Sequence, residues 1–283
     1  MAFFNSFKYS SAGKGVEKNA PKKRRFILFI EIAFRKIWQL MGINLLWLLM
    51  CIPLLTIGPA TAGLMKVMRN FSQERHSYVI SDFFKAYKNN FKKSMFFGII
   101  DLLILASTIC SFFVYPQLAD YYDSYAVYIP MIITISIAFT VMMMNYYVYL
   151  MIIATDISTK NIIKNSFYLT CIALKKNLIT TVLIIAILAV FGFLIFFWPQ
   201  FIILLLIMPF SLIALIIAFN SYPVIQEHVI NPYYEERGEV NPEISRYMPD
   251  DDEAIFEDMG GIEAPIEMKN DKPETKGKTK HLK

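Results

Sequence analysis

The run of residues 37–57, I-W-Q-L-M-G-I-N-L-L-W-L-L-M-C-I-P-L-L-T-I, carries no charge, and it constrains this chain more than any other feature. At about 1.5 Å per residue it is roughly 30 Å long as a helix, the thickness of a bilayer's hydrocarbon core. Both flanks are basic. Residues 1–36 hold nine Lys or Arg against two acids, and seven more lie between Lys66 and Lys93. Basic loops stay on the cytoplasmic side, so one crossing cannot place both flanks correctly. The chain must cross again, or dip and return, before residue 72. The sequence offers a place for this: Pro53, Gly58, Pro59 and Gly63 interrupt the run, and proline withdraws a helical N–H donor.

A hydrophobic content of 56% and a positive mean hydropathy agree with lipid as the solvent for these segments. Further apolar segments at 95–114, 128–155, 178–197 and 201–219 bring the count to five clear spans. Residues 59–71 make a broken, re-entrant half-helix, a thin return crossing with Lys66 snorkelling to the headgroups, or a surface helix. The expected fold is an all-α polytopic membrane helix bundle. Residues 1–25 form a basic cytoplasmic arm, 26–219 the bundle, and 220–283 an acidic, largely disordered cytoplasmic tail with fifteen acids against eight bases. Both termini are expected inside a cell membrane crossed several times. No cleavable leader is visible, since the first apolar run begins after Arg25.

Ile80, Phe83, Phe84, Tyr87 and Phe91 recur at helical spacing and predict an amphipathic interfacial helix resting on anionic lipid. A helix packed beneath the bundle is the other reading. The triplets F-R-K at 34–36, F-K-K at 91–93 and L-K-K at 174–176 each precede a span. They outline a parallel three-fold repeat of interfacial helix plus hairpin, with Ile163, Phe167, Cys171 and Leu174 as the stripe of the third copy. Basic pairs flank spans generally, which is the plainer explanation. Cys51, Cys110 and Cys171 have no metal-like spacing and read as small core residues.

Polar residues inside spans are the default functional candidates. Asn44, Asp101 and Asn145 share a depth of about 12–15 Å from the cytoplasmic ends of their helices, and Lys66 is a candidate partner for Asp101. A polar site or an ion step is one reading; interhelical hydrogen bonding is the other. H-E-x-x-H, G-x-S-x-G, P-loop and C-x-x-C motifs do not occur, so no enzyme, cofactor or metal is expected, and nucleic acid is not an expected partner.

The segments N-L-L-W-L-L-M-C-I-P-L-L-T-I-G-P-A-T-A-G-L at 44–64 and S-D-F-F-K-A-Y-K-N-N-F-K-K-S at 81–94 resemble the signature of the YesL-like family of bacterial integral membrane proteins. The likeness covers roughly residues 26–235. The family is a domain of unknown function associated with carbohydrate utilisation. The resemblance implies a membrane location and a link to sugar uptake, with no catalytic residues to carry over. Two functions follow as expectations. The first is a non-enzymatic accessory or regulatory component whose membrane protein partner is a sugar-uptake system. The second is a small transporter or channel using the broken helix and Asp101. A thiol probe introduced by Ser10→Cys should label only from the cytoplasmic side; labelling from outside would remove the return crossing.

Overall fold

The computed structural model describes residues 25–203, 207–239 and 241. The expected basic arm, apart from Arg25, and the tail from 242 onward lie outside the described residues. Among the described residues there are helices and no strands. They are α1 (Arg25–Arg35), α2 (Ile37–Met50), α3 (Ile57–Ser72), α4 (Val79–Asn89), α5 (Phe91–Tyr122), α6 (Tyr128–Ala154), α7 (Thr159–Ile172), α8 (Leu174–Phe197), α9 (Pro209–Ile225) and α10 (Asn231–Glu235), the last reached through a π turn. Four segments, Phe91–Tyr122, Tyr125–Ala154, Leu174–Phe197 and Pro209–Glu235, are long and apolar enough to cross a membrane. They mark the chain as a helical membrane protein.

Three single-residue joints organise these helices. Lys36, Asn90 and Ala173 separate α1 from α2, α4 from α5 and α7 from α8, at φ/ψ of −105/13°, −107/13° and −95/27°. The i→i−4 backbone bonds continue through each joint: Lys36, Asn90 and Ala173 donate to Ile32, Ala86 and Leu169, and accept from Leu40, Ser94 and Asn177. The same register is buried beyond each joint. Four, seven and eight residues on lie Leu40, Ile43 and Asn44; Ser94, Phe97 and Gly98; and Asn177, Thr180 and Thr181. In α2 and α8 these are the only buried positions. The basic pair lies two and three residues past the joint in the second and third units but ends on the joint, at Arg35 and Lys36, in the first, a displacement of three residues that keeps roughly the same helix face.

Each unit continues into a return helix: α3, α6 and α9. These three pack on one another, and each also packs forward onto the next unit. Helix α3 lies against α4 and α5, and α6 against α7. Helix α9 closes the ring on the first unit, packing against α2, with the Arg25 guanidinium donating to the Phe219 carbonyl at 2.9 Å. Twelve of the sixteen α3 residues and twelve of the seventeen α9 residues are buried, so these two helices occupy the centre. The upper parts of α5, α6 and α8 remain largely exposed, as lipid-facing helix surfaces are.

The structure moves several expected boundaries. Helix α2 stops at Met50 instead of residue 57, because Pro53 withdraws a donor; a 3₁₀ turn at Leu54–Thr56 follows, and the Thr56 hydroxyl donates to the Met50 carbonyl. Gly58 and Pro59 then sit inside the first turn of α3, where an N–H has no helical partner to lose. Phe91 opens α5 instead of closing the amphipathic helix. The second apolar segment, expected to end at residue 114, continues as helix through Pro116 to Tyr122 and ends at Asp123 in a left-handed conformation. The last long helix begins at Pro209, not 201, and passes residue 220 to reach Ile225 with Tyr222 buried, so the tail starts later than expected. Cys110 and Cys171 are exposed, not core residues.

The tightest contact of the ring is at Gly58. A Cβ built there would collide with the Ser94 carbonyl, and one built on Gly98 would lie 2.7 Å from the Gly58 Cα. Gly58→Ala and Gly98→Ala should each lower stability by about 1–3 kcal/mol through overpacking. Gly42→Ala and Gly192→Ala, where a Cβ meets open space, should be neutral or slightly stabilising. Thermal unfolding in detergent, followed by helical circular dichroism, is the check.

Candidate functional site

The segment N-Y-Y-V-Y at 145–149 makes α6 the polar hub of the bundle. Asn145 and Tyr149 lie one turn apart on one face and meet Asp101 of α5. The Asn145 amide donates to Asp101 Oδ1 at 2.8 Å, and the Tyr149 hydroxyl donates to Oδ2 at 2.7 Å. Tyr146 and Tyr147 turn the other way, toward α8. The Tyr146 hydroxyl lies 3.0 Å from Thr181 Oγ1, while that of Tyr147 donates to Asn177 Oδ1 at 2.5 Å. The Asn177 amide in turn donates to the Thr170 carbonyl at 3.1 Å, which ties α7 into the seam.

Of the four predicted polar residues, the structure therefore brings Asp101 and Asn145 together. Asn44 belongs elsewhere. Its Oδ1 accepts the Ser211 N–H at 3.0 Å, satisfying a donor in the first turn of α9 that the helix itself leaves open. Asn44 stands eight residues past its joint, the position held by Gly98 and Thr181 in the other units, so it is part of the ring's seam. Lys66 lies half-buried on α3.

The break residues divide by burial. Gly58, Pro59 and Gly63 are buried, whereas Pro53 is exposed at the turn. Gly63 makes room for Phe83, since a Cβ there would lie 2.9 Å from the phenyl ring. The expected interfacial stripe is thus divided. Phe83 is buried against α3, Phe84, Tyr87 and Phe91 are half-buried, and Ile80 is exposed. In α7 the expected stripe residues Ile163, Phe167 and Cys171 face outward, as does Leu174 at the start of α8, while Ile162, Ser166, Leu169 and Thr170 face the bundle. The polar and small residues mark the inner face because helices in lipid associate through close packing and hydrogen bonds, with no hydrophobic drive between them.

Above the Asp101–Asn145 pair, α5 and α6 part to leave a groove of about 380 Å³ whose apolar walls include Ile104, Leu105, Ala138 and Phe139. Leu105, Phe139 and Met142 are exposed, so the groove opens sideways from the bundle. Asp101 lies ten residues into α5, about 15 Å above its start. Both carboxylate oxygens accept a bond from a neutral donor, and each has a lone pair left for another. The site is equipped to hold a cation or a hydrogen-bond donor. Among the described residues no group of three His, Cys, Asp or Glu is placed to hold a metal ion.

Sequence reasoning missed Tyr146, Tyr147, Tyr149 and Asn177. A signal was available: three tyrosines within four residues of an apolar helix need partners for three hydroxyls. Tyr147→Phe should cost about 1 kcal/mol by leaving the buried Asn177 oxygen without its donor. The Tyr147→Phe, Asn177→Leu pair should cost less than the sum of the single changes in unfolding measurements. Additive costs would mean that the two side chains do not interact.

Residues 40–112, about a quarter of the chain from α2 into α5, match a family model described as "Protein of unknown function, DUF624". No curated protein and no solved structure matches the chain. Over the segment that carries the α2–α3 break, the glycine contact and Asp101, the chain is similar to an uncharacterised family.

Proposed function

We propose that this protein is a non-enzymatic accessory or regulatory component of the cell membrane, acting on a membrane-embedded partner. The observation that supports this reading is the direction in which Asp101 opens. Its groove faces the plane of the bilayer, while the axis of the bundle is filled by α3, α6 and α9 packing on one another. A group presented sideways in lipid meets other membrane components before it meets an aqueous solute. The carbohydrate association of the YesL-like family, which the sequence resembles, makes a sugar-uptake system the partner class to try first. In this reading α2 and α3 form a thin hairpin that returns to the cytoplasmic side, adding a fifth membrane helix and a half-helix to the four long ones. Both termini then lie in the cytoplasm, and the basic pairs at 35–36, 92–93 and 175–176 face anionic headgroups.

A small transporter or channel is the second reading. It is favoured by a further hollow of about 200 Å³ higher between α5 and α6, lined by Ser107, Ser111, Tyr115 and Thr134 among others. Two measurements separate the readings. Purification from native membranes in mild detergent should return a stoichiometric membrane partner, and the purified chain alone in proteoliposomes should move no sugar, proton or cation. Repeated purification as a solitary chain would remove the accessory role. Flux by the chain alone that Asp101→Asn abolishes would establish the second reading.

A further inference from the structure

The three hairpins differ most eleven residues past the joint, where Trp47, Asp101 and Ile184 occupy equivalent positions. Trp47 fills its place: its indole N–H donates to Thr61 Oγ1 at 3.3 Å and its ring lies 5.0 Å from that of Phe210. Ile184 packs against the core. The second unit has a carboxylate there, with the 380 Å³ groove directly above it. We infer that this groove seats a transmembrane helix of the partner, one that carries a lysine or arginine at mid-depth whose cation closes on Asp101. This rests on the accessory reading and names its contact.

The argument is one of charge and depth. Asp101 stands about 15 Å into its helix, and its two donors, Asn145 and Tyr149, bring hydrogen bonds but no positive charge. A carboxylate at that depth is stabilised by pairing with a basic group, and the remaining lone pairs accept a further donor. An acyl chain would cover the apolar walls and leave the carboxylate without a counter-charge. A water-borne cation entering from the open side would cross lipid, because that side of the groove is rimmed by Leu105, Phe139 and Met142. A neighbouring helix brings apolar surface for the walls and a cation for the floor together.

The full chain can be reconstituted in phosphatidylcholine vesicles with labelled poly-leucine transmembrane peptides, association being read by energy transfer. A peptide with one central lysine should associate about tenfold more tightly than its all-leucine counterpart, the ratio expected of one good polar contact between helices. Asp101→Asn should abolish that preference. Ala138→Trp, which fills the groove and keeps the carboxylate, should weaken association as well, and thermal melting would establish that both variants fold. Moving the lysine two turns toward the headgroups should also remove the preference. Equal association of the two peptides, or a lysine preference that survives Asp101→Asn, would overturn the proposal. So would a phospholipid that native mass spectrometry finds in the groove and that the peptide cannot displace. If a natural partner still co-purifies with the Asp101→Asn protein, the groove assignment falls while the accessory role stands.

Discussion

Everything in this bundle depends on how closely each return helix can approach the helix that follows the next joint. In the first-to-second interface the approach is closest: Gly58 meets the backbone at Ser94 and Gly98, and no side chain intervenes. In the second-to-third, Tyr146 and Tyr147 bridge to Thr181 and Asn177. In the third-to-first, Asn44 accepts the Ser211 N–H. The level eight residues past a joint is thus secured by bare backbone contact, by paired side chains, and by a side chain on a helix N-terminus, and in the first two interfaces the level four residues past is secured as well. Lipid tails are as apolar as leucine, so these devices, rather than apolar burial, must hold the helices together.

That constraint explains why α3 and α9 can be buried over most of their length. Helix α3, at about 24 Å, and α2, at about 21 Å, are each shorter than the hydrocarbon core. Their break leaves polar backbone at membrane depth, which is tolerated where protein covers it. The Thr56 hydroxyl serves the Met50 and Pro53 carbonyls at the turn. Asn44 does the converse at the start of α9, where its Oδ1 accepts the Ser211 N–H. The ring covers what a single hairpin would expose to lipid.

Much of this was legible in the sequence, because long charge-free runs and basic doublets report on the bilayer directly. The doublets at 92–93 and 175–176 sit immediately beyond Asn90 and Ala173, and Pro53 marks the end of α2. The inner faces were harder to read. Amphipathic periodicity picked out the greasiest stripe, and in α7 that stripe turns outward while Ser166 and Thr170 turn in. In water apolar residues mark the core, whereas in lipid small and hydroxyl residues mark it. Ser94 to Gly98 and Asn177 to Thr181 carry the signal at i, i+4 spacing, but it emerges only when the units are aligned on their joints. Asp101 and Asn145 were visible as polar residues in apolar runs; Tyr149, the second donor to Asp101, was hidden by its ordinary place in a membrane helix.

The central claim is that the ring closes, with the last unit docked on the first. Replacing Asn44 and Ser211 with cysteine, in a chain whose three natural cysteines are changed to serine, tests that closure. Mild oxidation should join the two positions within one chain and give a faster-migrating monomer that reductant restores. No intramolecular product from well-folded protein, or a product only between separate chains, would contradict the ring.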